Sequence, residues 1–281
     1  MSTSILINNF NNGPWLRECV DSALQQTQPA DEIIVYDDGS TDDSLSILRS
    51  YADRITLIEG PRNSSRPAFV NQQAAIHAAF LAATGDHIHL LDGDDAYLPA
   101  RIDSYEQLWL TQPDALMIHG PLETVDDNGV RLKSAGHIMI PPERHLAAIY
   151  RHQRPKGFFP TSALAFRRDF LQEQLPLDFS DQLHYAADVR LSILALCTGS
   201  ILMLREPQTR YRKMSTSLSA AVRSLTQAAI TRLNCEGFNL MANRAGKPSI
   251  NYRLDYRYYP QRLRELSPEW LGDFLAQFRQ R

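Results

Sequence analysis

The sequence predicts an α/β protein: a mostly parallel, doubly wound sheet flanked by helices, with a helical C-terminal extension. Three observations carry this. Apolar runs of strand length alternate with segments of helical period through the first hundred residues. Two of these runs, Glu32-Ile33-Ile34-Val35-Tyr36 and His87-Ile88-His89-Leu90-Leu91, are followed directly by acidic turns, Asp37-Asp38-Gly39-Ser40 and Asp92-Gly93-Asp94-Asp95. At 281 residues with 43% apolar and 22% charged side chains, the chain can bury the core of one large domain, alone or with an appendage.

Ile5-Leu6-Ile7 opens as a short strand, the polar turn Asn8 to Gly13 follows, and Pro14 stands where a first-turn proline favours a helix start. Leu16, Val20, Ala23 and Leu24 recur at helical spacing through about Gln26, and Pro29 ends that pattern before a second strand at Ile33 to Tyr36. Ser40 to Asp43 offer capping oxygens for a helix with Leu45, Leu48 and Tyr51 on one face, and Ile55 to Ile58 reads as a third strand. An alanine-rich helix from about Val70 to Ala83 turns through Thr84-Gly85-Asp86 into a strand at His87 to Leu91. Further on come a strand at Ala115 to His119, a turn at Asp126-Asp127-Asn128-Gly129 and a strand near Ile138 to Ile140. Residues 162 to 214 read as strand, loop, helix and strand. The division this implies is a domain over 1–216 and an extension over 217–281, helical in two or three pieces broken at Gly246-Lys247-Pro248 and at the run Tyr252 to Tyr259.

The net charge of −3 hides an asymmetry. Residues 1–100 carry an acidic excess of roughly nine, and the tail from Ser215 a basic excess of roughly five. An acidic N-terminal half disfavours nucleic acid but suits a site whose carboxylates hold a divalent cation that in turn holds phosphates. Cys19, Cys197 and Cys235 are odd in number and widely spaced, which argues against a disulfide framework or thiolate metal site and for three buried core residues. No apolar run approaches the ~20 residues that span a bilayer, and Met1-Ser2-Thr3-Ser4 lacks the basic and apolar regions of a secretory signal, so a cytoplasmic location is expected. Neither Gly-x-Gly-x-x-Gly nor a Walker A lysine motif is present, which leaves the common dinucleotide and P-loop readings without support.

Asp92, Asp94 and Asp95 crowd three negative charges into four residues, which costs repulsion unless a cation or several donors compensate. All-oxygen ligation suits Mg²⁺ or Mn²⁺. A solvated loop is the plainer alternative, as turn or helix capping is for Asp37 and Asp38.

Across residues 4 to 218 the chain resembles the family-2 glycosyltransferases of GT-A fold. Ile5 to Asn11 is similar to the family's first strand and Pro-Thr-Tyr-Asn loop, with Asn8, Asn9 and Phe10 replacing the first three residues. Leu16 to Thr27 resembles its helix ending in Gln-Thr, Glu32 to Asp42 its Asp-Asp-Gly-Ser-Thr-Asp turn, and Gly85 to Pro99 its Leu-Asp-x-Asp-Asp segment. Phe159-Pro160-Thr161-Ser162, Phe166-Arg167-Arg168, Ala187-Asp188 and Tyr211-Arg212 resemble its acceptor-side elements. The resemblance implies a nucleotide-binding half over 1–100, an acceptor-side half over 101–216, and a metal-dependent, inverting transfer of a sugar from a nucleotide-diphosphate donor to a hydroxyl acceptor. It implies Asp38 on the base, where an acceptor-only carboxylate takes the N3–H of uracil and repels the lone pair of cytosine, although thymine and guanine also offer an N–H. It further implies Asn9 and Asn11 near base or ribose, with plain turn residues as the equal alternative, Asp92 near the ribose, Asp94 as direct metal ligand, and Asp95 behind it or as a cap for the helix at Pro99. Asp188 falls at the position of the general base, with a helix N-terminal carboxylate offsetting the dipole as the alternative, and Arg212 reaches phosphate or a structural carboxylate.

Two departures stand out. Many relatives carry Glu-Asp where this chain has Ala187-Asp188, and a histidine where it has Met214, whose thioether is a poor ligand for a hard ion. A sugar-nucleotide-binding protein without turnover therefore stays open, as does a nucleotidyltransferase, although Asn8 to Gly13 lacks the basic residues a triphosphate loop uses. His184, four residues before Asp188, faces the same side if that stretch is helical. The tail's apolar positions, among them Leu225, Ile230, Leu233, Phe238, Leu240, Trp270, Leu271, Phe274 and Phe278, are expected to pack on the domain, with a homodimer or peripheral contact with a membrane surface as alternatives.

Overall fold

A computed structural model describes residues 1–51, 53–62, 65–132, 142–153, 155, 158–177, 186–214, 227–251 and 253. Its main sheet has seven strands in the order β3-β2-β1-β4-β8-β6-β9. These are β1 (Thr3–Asn9), β2 (Glu32–Asp37), β3 (Thr56–Glu59), β4 (His87–Asp92), β6 (Met117–His119), β8 (Leu164–Arg167) and β9 (Ile201–Met203). β3, β2, β1 and β4 run parallel, as do β6 and β9, while β8 lies antiparallel between β4 and β6. A second sheet, β5-β10-β7, joins β5 (Ala96–Tyr97), β10 (Thr209–Arg212) and β7 (Glu123–Val125). This is the doubly wound α/β architecture expected.

The central strands form because their apolar runs are buried on both faces, as parallel strands covered by helices require. On β1, Ile5 and Ile7 face one core with Leu16, Cys19, Val20 and Ala23 of α1 (Gly13–Leu24) and with Ile47 and Leu48 of α2 (Ser44–Arg49). Leu6 faces the other core, with Ile76, Ala79 and Phe80 of α3 (Ala68–Ala82) and with Leu191 and Leu194 of α7 (Ala187–Thr198). Tyr105 and Trp109 of α4 (Arg101–Thr111) pack a third, smaller cluster with Ile118 and Ala165. Cys19, Cys197 and Cys235 are free and buried, as expected.

α5 (Pro142–His152) and α6 (Arg168–Gln174) complete the layers. α8 (Gln227–Arg244) places Cys235, Phe238, Met241 and Ala242 in the same core as α7, so this part of the extension packs on the domain. The strand expected near Ile138 to Ile140, His184, and the tail positions Leu225, Trp270, Leu271, Phe274 and Phe278 lie outside the described residues.

α2 differs from its expected form. It ends at Arg49, and its buried side is Ile47, Leu48 and, in the turn beyond, Tyr51, whose hydroxyl donates to Asp21 at 2.9 Å. Asp42 starts both N-terminal helices: one carboxylate oxygen accepts the Gly13 N–H (2.9 Å) and the other the Ser44 N–H (3.0 Å). In the first turn of α1, Pro14 has no N–H, and the Trp15 and Leu16 amides both donate to the Asn12 carbonyl.

Candidate active site

The strand order reverses at β1 and β4, so their C-terminal ends open the crevice in which such sheets hold ligands. Register sets the pairs there: Asn9 lies beside Asp37, and Asn8 beside Asp92.

At the end of β2, Asp37 is fully buried and spent on its own turn. It accepts the Ser40 N–H (2.8 Å), the Ser40 hydroxyl (2.7 Å) and the Asn9 amide (2.7 Å). Asn11 stands in the left-handed region at φ 53° and accepts the Thr41 N–H at 2.8 Å, so Asn9 and Asn11 both brace the turn. Gly39, at φ 68°, has no room for a β-carbon, which would lie 2.9 Å from the Arg62 backbone nitrogen. Asp38 receives Arg62 Nη1 at 2.6 Å, and that guanidinium lies 3.4 Å from the centre of the Phe10 ring. Burial raises the Asp38 carboxyl above its ordinary pKa, Arg62 pulls it back, and Asp37 adds a smaller upward push.

The turn after β4 is dressed differently. Asp92 accepts the side-chain amides of Asn8 (2.8 Å) and Gln72 (2.9 Å). Asp95 is buried, taking the Ser162 hydroxyl (2.5 Å) and the Arg212 backbone N–H (2.7 Å). Among the described residues, no side chain donates a hydrogen bond to the Asp94 carboxylate, and the charge of Arg212 pulls its pKa down only against the larger push of burial. A β-carbon on Gly93 would meet Asn9 Oδ1 at 2.6 Å, so glycine lets this turn rest on β1.

Carboxylate oxygens of Asp92, Asp94 and Asp95 all lie within 4.8 Å of one another. Burial pushes Asp94 up to about 7, helped by the charge of Asp92, and takes Asp95 well above the usual carboxylate range, helped by Asp94 and Asp92. Burial also raises Asp92 against the pull of its hydrogen bonds. An all-oxygen set short of compensating charge fits a hard divalent cation, and Asp94 is the member with oxygens to spare.

Asp188 enters from the first turn of α7, half-buried, and accepts the Val189 N–H at 2.7 Å. Burial pushes its carboxyl up to about 7; backbone N–H groups, that of Val189 foremost, pull against this, and the charge of Asp92 adds to the rise. Arg212 is committed elsewhere: Nε donates to the Asp94 carbonyl (3.0 Å), Nη1 to the carbonyls of Asp126 (3.0 Å) and Asp127 (3.2 Å), and Nη2 to Glu18 (2.6 Å). Met214 follows β10, half-buried.

Nothing in the sequence singles out Arg62, Gln72 or Glu18, and Thr161 and Ser162 stand out in it only as part of a motif.

Comparison with known proteins agrees with this picture. The family described as Glycosyl transferase family 2 matches residues 4–175. The chain is 28% identical over 286 residues to a Nostoc sp. protein described as the uncharacterized glycosyltransferase alr2836, covering 96% of this chain and 86% of that one. It is 38% identical over 100 residues to poly(ribitol-phosphate) beta-glucosyltransferase of Bacillus spizizenii, covering 34% of this chain and 15% of that one. Among solved structures, S. aureus TarS 1-349 in complex with UDP-GlcNAc aligns with TM-score 0.60 at 17% identity, over 92% of this chain and 71% of that one. The mannosyltransferase PcManGT of Pyrobaculum calidifontis, in complex with GDP-Man and Mn²⁺, aligns with TM-score 0.53 at 17% identity, over 92% and 69%. At such identity these two structures speak to the fold.

Proposed function

The chain belongs to glycosyl transferase family 2, and from that premise we propose a metal-dependent, inverting transfer of a sugar from a nucleoside-diphosphate donor, with UDP favoured, to a hydroxyl acceptor. One observation supports the reading most: burial, with the charge of Asp92 adding to it, pushes the Asp188 carboxyl on α7 up to about 7, where a general base works best near neutral pH.

Asp38 orients the base by accepting its N3–H, beside the Phe10 and Arg62 pair. Asp92, held by Asn8 and Gln72, faces the ribose. Asp94, backed by Asp92 and Asp95, would hold Mn²⁺ or Mg²⁺, which when bound neutralises charge on the diphosphate. Asp188 takes the acceptor's hydroxyl proton as that oxygen bonds to the anomeric carbon. The bond from that carbon to the diphosphate breaks with inversion, and its electron pair leaves on the nucleoside diphosphate. Arg212, with its donors engaged, supports the site as a brace between Asp94, Asp95 and Glu18.

The test is nucleoside-diphosphate release from UDP-, GDP- and dTDP-sugars, with Mn²⁺ and with chelator. Chelator-sensitive release from one donor is expected, and Asp188→Asn should abolish transfer while leaving donor binding intact. Met214 favours a second reading, a sugar-nucleotide-binding protein. Mn²⁺-dependent UDP binding without release from any donor would select it.

A further inference from the structure

Ser162 sits in a 3₁₀ turn, Thr161–Ala163, that leads directly into β8, and it is fully buried. The antiparallel register of β8 on β4 pairs Ile88 with Phe166 and His89 with Ala165, and carried three residues further it sets Ser162 opposite Asp92. Its one hydroxyl closes the acidic turn after β4 from behind. The oxygen accepts the Asp92 N–H at 3.0 Å, and the O–H donates to Asp95 Oδ2 at 2.5 Å. A backbone bond from the Asp95 N–H to the Asp92 carbonyl (3.0 Å) completes the ring, and the Arg212 N–H donates to Asp95 Oδ1 at 2.7 Å. Each Asp95 oxygen thus already has an interior donor. Ser162 is itself anchored: its carbonyl accepts the Thr209 hydroxyl (3.0 Å), which accepts buried Arg101 (2.6 Å).

Three carboxylates whose oxygens lie within 4.8 Å of one another repel, so the turn left to itself would spread before a cation could meet it. Tying the Asp92 amide to the Asp95 carboxylate through one hydroxyl holds the two ends of the turn at a fixed separation. We infer that Ser162 is a positioning residue for the cation site: it keeps the β4 turn closed, so that Asp94 and Asp92 meet a divalent ion without rearrangement, while Asp95 serves as the pin rather than as a ligand. This deepens the transfer reading above and rests on its metal. Hydrogen-bonding partners that stand behind the ligands of a metal are worth about 10- to 100-fold in metal affinity or activity.

Ser162→Ala removes the hydroxyl, and Ser162→Cys fills its place with a weaker donor. The full chain as wild type, as these two variants and as Asp94→Ala is titrated with Mn²⁺ in the presence of UDP, with free Mn²⁺ followed by electron paramagnetic resonance. Affinity for UDP in chelator is measured by calorimetry. Ser162→Ala should weaken Mn²⁺ binding about 10- to 100-fold while UDP affinity in chelator stays within about threefold, and Ser162→Cys should lose about 3- to 10-fold in Mn²⁺ affinity. Mn²⁺ affinity within about twofold of wild type in Ser162→Ala overturns the positioning role, as does an equal loss of Mn²⁺ and UDP affinity, which a general loosening of the fold would give. Should Ser162→Ala not fold, Ser162→Cys decides by the same two criteria. A wild type that binds no Mn²⁺ with UDP, or an Asp94→Ala that binds it like wild type, overturns the metal in the transfer reading instead and removes the inference with it.

Discussion

The acidic turns at the ends of β2 and β4 look alike in sequence and solve their electrostatics in opposite ways. After β2, one carboxylate is spent on the turn and the other is matched by Arg62 at 2.6 Å. After β4, the hydrogen bonds that Asp92 and Asp95 receive among the described residues come from neutral donors: side-chain amides, a hydroxyl and a backbone N–H. The nearby guanidinium of Arg212 spends its N–H groups on backbone carbonyls and Glu18 instead. A cluster of acids alone does not say whether a cation is wanted. What decides it is whether the protein has already supplied the opposite charge.

The strongest challenge to this contrast is Asp94→Ala. On the proposed function, turnover should fall by about 1,000-fold and the residual rate should become insensitive to chelator, a loss in the range of several kcal/mol that a bound cation supplies. Unchanged turnover and metal dependence in a folded protein would mean that the β4 turn needs no cation. Next in size is a stability effect without divalent ions. A carboxyl held at about 7 in the folded state and near 4 when unfolded contributes stability at low pH that disappears as pH rises from about 4 through 7. Asp94→Asn lacks this titration, so thermal melts should show the variant gaining about 2–3 kcal/mol on wild type between pH 5 and pH 8, and Mn²⁺ should close that gap. A pH-independent difference would contradict uncompensated charge. The smallest effect is expected at β2: Asp38→Asn should shift stability by no more than about 1 kcal/mol, since Arg62 offsets part of the burial cost, while weakening UDP binding about tenfold. Calorimetry with UDP and CDP sharpens this, because the variant should also lose its preference for UDP.

The parallel half of the fold was legible because buried strands are written as continuous apolar runs, and the acidic turns mark where those runs leave the sheet. β8 was less so: nothing local to Leu164–Arg167 says that it will insert antiparallel between β4 and β6. The same limit applies at the site. Arg62 is 24 residues from Asp38, Gln72 is 20 from Asp92 and Glu18 is 194 from Arg212, and a side-chain contact at such separations leaves no periodicity to read. In α2 the error was one of phase. A six-residue helix is too short for spacing to define its face, and Ile47 took the place expected of Leu45.

The double use of Asp42 has a wider consequence. Many proteins grip phosphate with the free amides at a helix start, a grip that is built into the chain. Here the amides opening α1 are already taken, by Asp42 for Gly13 and by the Asn12 carbonyl for Trp15 and Leu16. If the donor's phosphates are instead held through a cation, as proposed, the grip is borrowed from solution. The rate would then follow the supply of free divalent ions in the surroundings, which makes ion availability an outside throttle on the reaction.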